Sequence, residues 1–283
     1  MKKNLLKLAS VLCLIALVMG LAAGCDRSPG TSPVANPLVT IEDPSVFESE
    51  NYGMAIRQGN TELLNAVNAV LTQMIERGYI DQIATKHILG EELDVAGFQI
   101  DPVAFTGQTV TDGFLTMATN AEFAPFEFRS NAPGAVDGVY GIDVDIAREI
   151  ANALGLQLRV EDMEFTSIIP AVQTGLVDIG IAGMTITAER ALSVDFSIPY
   201  YTAAQVIIAR EDRGITSAAD LNGLRVGVVI GYTGDIIVSG MDGVAQIVRS
   251  NSGIESVMEL ISGRVDAVVI DRAPAEAMIL QHQ

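Results

Sequence analysis

The sequence has no tryptophan, two cysteines and two histidines in 283 residues. Cys13 lies inside an N-terminal apolar run, so a chain processed behind that run keeps only Cys25. One cysteine closes no internal disulfide, and a disulfide framework is excluded. His87 and His282 stand far apart with no Cys/His cluster around them, which leaves no zinc signature and no cofactor to expect; both read as exposed residues of a helix and a tail. Positive charge is also short: 17 Lys and Arg stand against 35 Asp and Glu, a net charge of −18. No basic patch is visible, so nucleic acid is excluded as a partner. The acidity reads as a solvated surface. The longest apolar run, Leu8–Leu21, is too short for a confident membrane span.

That run follows Lys2, Lys3 and Lys7, a positive segment before an apolar one, which is the pattern of a secretory leader. It ends Leu21-Ala22-Ala23-Gly24-Cys25, which resembles a bacterial lipobox. The resemblance implies a signal peptide over 1–24, lipidation of Cys25, and attachment to the membrane through that lipid alone. Residues 25–37 are rich in Pro, Ser and Gly and read as a flexible tether.

Beyond it the chain alternates strand and helix patterns. Asn60 caps a helix with the stripe Leu63, Leu64, Val67, Leu71, Met74 and Ile75, ended by Gly78. Strands are expected at Phe114–Thr119, Leu158–Val160, Val177–Ala182, Val206–Ala209, Val226–Val229 and Val265–Ile270. Helices are expected at Asp143–Leu154, Ser167–Gln173 and from Ser252 to Ile261, the last opened by a capping box of Ser252 and Glu255. Such alternation predicts an α/β fold with mostly parallel sheets.

Two stretches carry a resemblance, in an unexpected order. VTIEDPSVFESENYGMAIRQGNTELLNAVNAVLTQMIERGYIDQIATKHI (39–88) resembles the end of an amino-acid-binding protein of an ABC importer. TMATNAEFAPFEF, IAGMTITAERALSVDFSIPYY and VDAVVIDRAPAEAMI, within 113–280, resemble its start and middle. The chain is identified as a member of the bacterial extracellular solute-binding proteins, family 3, with circularly permuted connectivity. This implies the two-lobed, type II periplasmic-binding-protein ("Venus-flytrap") fold. Lobe 2 is expected from 38–51 plus 207–283 and lobe 1, continuous, from 57–200. Crossings are expected at 52–56 and 201–206, and a new connecting loop at 91–112.

The family's site maps onto named positions. Arg190 matches the arginine that grips the ligand carboxylate, a task suited to a guanidinium's two parallel donors; read alone it is an exposed helix arginine. Gly183 and Thr185 follow a strand, a usual ligand position in open α/β sheets. Thr233 opens a helix after Gly231 and matches the threonine that reaches the carboxylate, where a helix N-terminus favours an anion. Asp271 matches the acid that pairs with the ammonium; read alone it caps the next helix. Phe123 and Phe165 match the rings that sandwich the ligand side chain, or else are core. The chain departs from its relatives at Asn120, where binders of cationic or amide side chains often have Asp, at Val229, where Gln or Lys is frequent, and at Tyr232, in place of the second residue of GTTG. Glu122 and Glu127 stand near as carboxylates for a cationic side chain.

The resemblance thus implies a lipid-anchored receptor at the extracytoplasmic face of the membrane. It would close on one amino acid, neutral polar favoured over arginine or lysine, and deliver it to ABC permease subunits. The rivals are an enzyme of the same fold, a cyclic-acid dehydratase, and a ligand-sensing subunit of a signalling system. Enzymatic turnover needs a cleft acid or base, and no histidine falls among the matched positions, so a non-enzyme is expected.

Overall fold

The computed structural model describes residues 36–90 and 98–282. The leader, Cys25, the tether up to Ala35 and the first part of the connecting loop lie outside them.

The chain opens with β1 (Leu38–Ile41), β2 (Glu50–Tyr52) and β3 (Ala55–Ile56), then α1 (Thr61–Glu76) and α2 (Tyr79–Leu89). Next come β4 (Phe114–Thr119), the small strands β5 (Glu122–Phe123), β6 (Glu127–Arg129) and β7 (Val139–Tyr140), α3 (Ile142–Ala153), β8 (Gln157–Asp162), α4 (Phe165–Thr174), β9 (Ile179–Gly180) and β10 (Asp195–Phe196). The last part holds β11 (Tyr201–Ala203), β12 (Gln205–Arg210), β13 (Arg225–Val229), α5 (Thr233–Ser239), β14 (Gln246–Ser250), α6 (Gly253–Ile261), β15 (Ala267–Asp271) and α7 (Arg272–His282).

These strands form two five-stranded sheets, ordered β10-β3-β9-β4-β8 and β1-β12-β15-β13-β14. The first draws only on residues between Ala55 and Phe196; the second draws on both ends of the described chain. Between them β2 pairs antiparallel with β11, Tyr52 opposite Tyr201. The architecture is the two-lobed α/β fold that the resemblance implied.

The sheets are less parallel than the sequence pattern predicts. In each, two pairings are parallel and two antiparallel. The antiparallel partners are β3, β10, β1 and β12, which flank the β2/β11 ribbon in the chain. Each leads into or out of the other lobe next to that ribbon, and no β-helix-β crossover joins it to its antiparallel partner, so nothing forces them parallel. The strand expected over Val177–Ala182 pairs only at Ile179–Gly180, between β3 and β4.

Both sheets are covered on both faces. Along β12, Val206 and Ile208 enter one hydrophobic cluster while Ile207 and Ala209 enter another, and β15 repeats the alternation with Val268 and Ile270 against Ala267 and Val269. Two-sided burial explains the unbroken apolar runs. Of the α1 stripe, Leu63, Val67, Leu71 and Met74 are buried, while Leu64 is half-buried and Ile75 exposed, and the Asn60 side chain accepts from the Leu63 amide. Ser252 caps α6 by accepting from the Glu255 amide. The Glu255 carboxylate bonds the Asn251 amide instead of returning to Ser252, so the capping box is half formed.

Residues 98–112 form neither helix nor strand. They lie along α1, where Gln73 and Arg77 hold Asp101 and Glu62 holds Thr106. His87 is not exposed: its side chain is buried and bonds Asp145 at 2.7 Å. Burial alone would raise that carboxyl, yet His87, Lys86 and the Arg148 charge hold it down at about 2. Among the described residues no helix is long and apolar enough to cross a membrane, and no three His, Cys, Asp or Glu gather to hold a metal ion.

Candidate functional site

Strand ends from both lobes converge beside the β2/β11 ribbon. Phe123, Phe165, Gly183 and Arg190 of lobe 1 face Tyr232, Thr233 and Asp271 of lobe 2 around one narrow void of about 10 Å³. Six of the nine site positions read from the sequence line it.

Gly183 follows β9 with φ +50, and a Cβ there would collide with the Phe123 ring. Only glycine brings the backbone so near the rings. Its amide donates to Asp143 at 2.7 Å, and the Tyr200 hydroxyl donates to the same oxygen at 2.9 Å. Asp143 is fully buried, and burial pushes it up to about 6. Beside it Glu127 is pushed well above the carboxylate range, by burial and by the Asp143 charge. Glu127 is fully buried and does not line the void, so it is not placed as a partner for a cationic side chain. Glu122 is exposed and does not reach the void.

Arg190 stands in a 3-10 turn, Arg190–Leu192, and is 8% exposed. It is not the exposed arginine that the bare pattern allows. Its guanidinium donates to the Thr185 carbonyl at 2.7 Å and, across the cleft, to the Gly231 carbonyl at 3.0 Å. Its central carbon lies 5.2 Å from the Phe165 ring centre. Thr185 sits just behind the void. Its hydroxyl accepts from Thr233 at 2.9 Å and donates to Glu50 at 2.6 Å. Helix α5, which Thr233 opens, has only seven residues. That is short for a useful macrodipole, and Thr233 acts here through its hydroxyl.

Asp271 ends β15 and is 3% exposed. The Tyr52 hydroxyl donates to it at 2.5 Å. Burial, with the Glu50 charge behind it, pushes Asp271 up to about 7. Glu50 is raised too, chiefly by burial, against the pull of Thr185, Gln205, Thr233 and the Arg190 charge. Chemically the void is lined by the Arg190 guanidinium, the Thr233 hydroxyl and the Asp271 carboxylate, with Thr185 and Glu50 hydrogen-bonded to each other behind it. That is a fit for a group bearing both a carboxylate and an ammonium.

Val229 is not in the void. It is buried in the core on β13, because the strand turns that side chain inward. Asn120 is also set back, its amide spent on Tyr232 and on the Met163 carbonyl. Glu50 and Tyr52 escaped the sequence reading; both lie on the crossing strand, and nothing local in SENYG marks them. Tyr232 did carry a signal, a bulky ring where relatives have a small residue.

The family model for bacterial extracellular solute-binding proteins, family 3, matches residues 115–258. The arginine-binding extracellular protein ArtP of Bacillus subtilis is 42% identical over 117 residues, 41% of this chain and 44% of that one. The arginine-bound form of a truncated arginine-binding protein from T. maritima superposes with a TM-score of 0.55 at 44% identity, over 60% of this chain and 78% of that one. An ancestral amino-acid-binding protein described as a precursor of cyclohexadienyl dehydratase matches at 37% identity and TM-score 0.55, over 58% and 73%. The chain spans 44% to 60% of the length of the first curated relatives it matches.

Proposed function

Since this chain belongs to the bacterial extracellular solute-binding proteins, family 3, we propose that it is an extracytoplasmic receptor that closes on one free amino acid and passes it to an ABC importer. The observation that carries this is the convergence of Arg190, Thr233 and Asp271, from two lobes, on a single void. A zwitterion needs both charges matched when it leaves water, and neither lobe supplies the match alone. Closure is therefore favoured by a ligand that touches both lobes, with the β2/β11 ribbon as hinge. Asn120, Phe123, Phe165, Gly183 and Thr185 complete the site from lobe 1; Val229 acts only through the packing behind Tyr232. A neutral ligand side chain is favoured over arginine or lysine, because Glu127 does not line the void and Asn120 is uncharged.

The finer reading of the chain follows. Residues 38–51 and 207–283 are lobe 2, 57–200 are lobe 1, and the connectivity is a circular permutation joined through 91–112. In its support, the matched residues 115–258 leave out 38–89, and β1, α1 and α2 nonetheless pack into both lobes. Residues 1–24 are a signal peptide and Cys25 a lipid anchor, which Cys25→Ser tests by release of the protein from membranes.

The test of the receptor is thermal unfolding against a panel of free amino acids. A ligand at about 100 times its Kd adds roughly 2.7 kcal/mol, a shift of several degrees. Arg190→Ala and Asp271→Ala are expected to abolish the shift. No shift with any amino acid, or full shifts in both variants, refutes the assignment. A cleft enzyme is the second reading, favoured by one observation: Asp271, at about 7, lies in the range of a general acid or base. Recovery of the bound amino acid unchanged after long incubation counts against it.

A further inference from the structure

The side-chain end of the cleft is filled from within. Tyr232 follows Gly231 with φ −71 and ψ 164 and reaches across from lobe 2. Its ring centre lies 4.6 Å from Phe165 and 5.3 Å from Phe123, edge-on to the latter at 86°. These are the two rings expected to sandwich a ligand's side chain, and Tyr232 stands in their slot. Its hydroxyl donates to Asn120 at 2.8 Å, and the Asn120 amide donates on to the Met163 carbonyl at 3.1 Å. The whole residue is 5% exposed.

The void that remains lies at the charged end, between Arg190, Thr233 and Asp271. At about 10 Å³ it is far smaller than the roughly 300–1,000 Å³ of pockets for drug-sized ligands. As closed it holds no more than a water-sized group, so a ligand's carboxylate and ammonium enter only as the lobes part, and Tyr232 still fills the side-chain slot beside them. A long side chain can enter only if Tyr232 leaves. That exposes the ring, breaks two aromatic contacts and strips Asn120 of its donor.

We propose that Tyr232 sets the ligand's size, so that the site takes an amino acid of small uncharged side chain (glycine, alanine or serine) and discriminates against long ones such as arginine and glutamine. This rests on the reading of the cleft as an amino-acid site. The loss of one buried hydrogen bond and two aromatic contacts predicts discrimination on the order of 100-fold.

The experiment is calorimetric titration of the parent and of Tyr232→Thr with glycine, L-alanine, L-serine, L-glutamine and L-arginine. The parent is expected to bind from the small set only. Tyr232→Thr is expected to gain glutamine or arginine by about 100-fold relative to the small set, and Tyr232→Phe, which keeps the ring, to gain far less. A parent that binds arginine or glutamine as tightly as the small set overturns the size limit while leaving the receptor reading intact, and does so even if Tyr232→Thr fails to fold. Equal selectivity in parent and Tyr232→Thr overturns it too. No binding of any amino acid by either protein overturns both readings together.

Discussion

Asp271 is a carboxylate held in a place that resists its charge. It is fully buried, faces Glu50, and has one firm donor in the Tyr52 hydroxyl, so it titrates at about 7. The sign follows from linkage. A carboxyl raised in the folded state binds protons that the unfolded chain has released, so its contribution to stability is lost as pH rises through about 7. Asp143, at about 6, acts in the same direction. Asp145 and Asp266, both held at about 2, act oppositely, and their stabilisation is lost only as pH falls through that value. The unliganded protein is therefore expected to gain stability between pH 8 and pH 5. Ligand binding should run the other way, because an ammonium needs Asp271 ionised. Affinity is expected to fall up to tenfold for each pH unit below about 7, measured by titration from pH 8 to pH 5. Glu50→Gln removes the neighbouring charge and should move that fall to lower pH; a profile flat in both proteins rules Asp271 out as the ammonium's partner.

The elements differ in how local their causes are. The cap of α6 is one side chain on one amide: Ser252→Ala is expected to cost about 1 kcal/mol, read by chemical denaturation, with binding unchanged. Gly183 belongs to a longer chain of contacts. Gly183→Ala strains a φ of +50 and drives a methyl into Phe123, so it should cost more than the cap and also weaken binding. These causes sort what the sequence made legible. The α1 stripe, the Asn60 and Ser252 caps and the buried runs of β12, β13 and β15 were readable because their patterns are short-range. The antiparallel half of the first sheet was not, since β3 and β10 are two-residue strands defined by partners far away in sequence. Val229 was unreadable for a related reason: a buried strand residue looks the same facing a pocket or a core. Arg190, Thr233 and Asp271 were legible only through the motif around them. Tyr232 was visible as a departure, but that its ring stands between Phe123 and Phe165 depends on the meeting of two lobes.

At the scale of the whole molecule, the cleft is closed by the residues assigned to the ligand. Arg190 bonds Gly231, Thr233 bonds Thr185 and Tyr232 bonds Asn120, each across the two lobes. Opening must break all three while keeping the β2/β11 ribbon. None of these contacts depends on the order in which the chain visits the lobes. Helix α7 packs beside β1 at the edge of lobe 2, so a short linker from the end of α7 to Asn36 is sterically reasonable, and the chain can be reopened between Leu89 and Gly113, away from the cleft. Such a rearranged protein exchanges one loop closure for another, and that entropy changes slowly with loop length. Its affinity for the parent's ligand is expected to stay within about twofold, and its unfolding midpoint within a few degrees. Calorimetry on the rearranged chain checks both. A tenfold loss of affinity with the fold intact means that connectivity itself shapes the cleft, and the lobes are then not the interchangeable units that a permuted receptor requires.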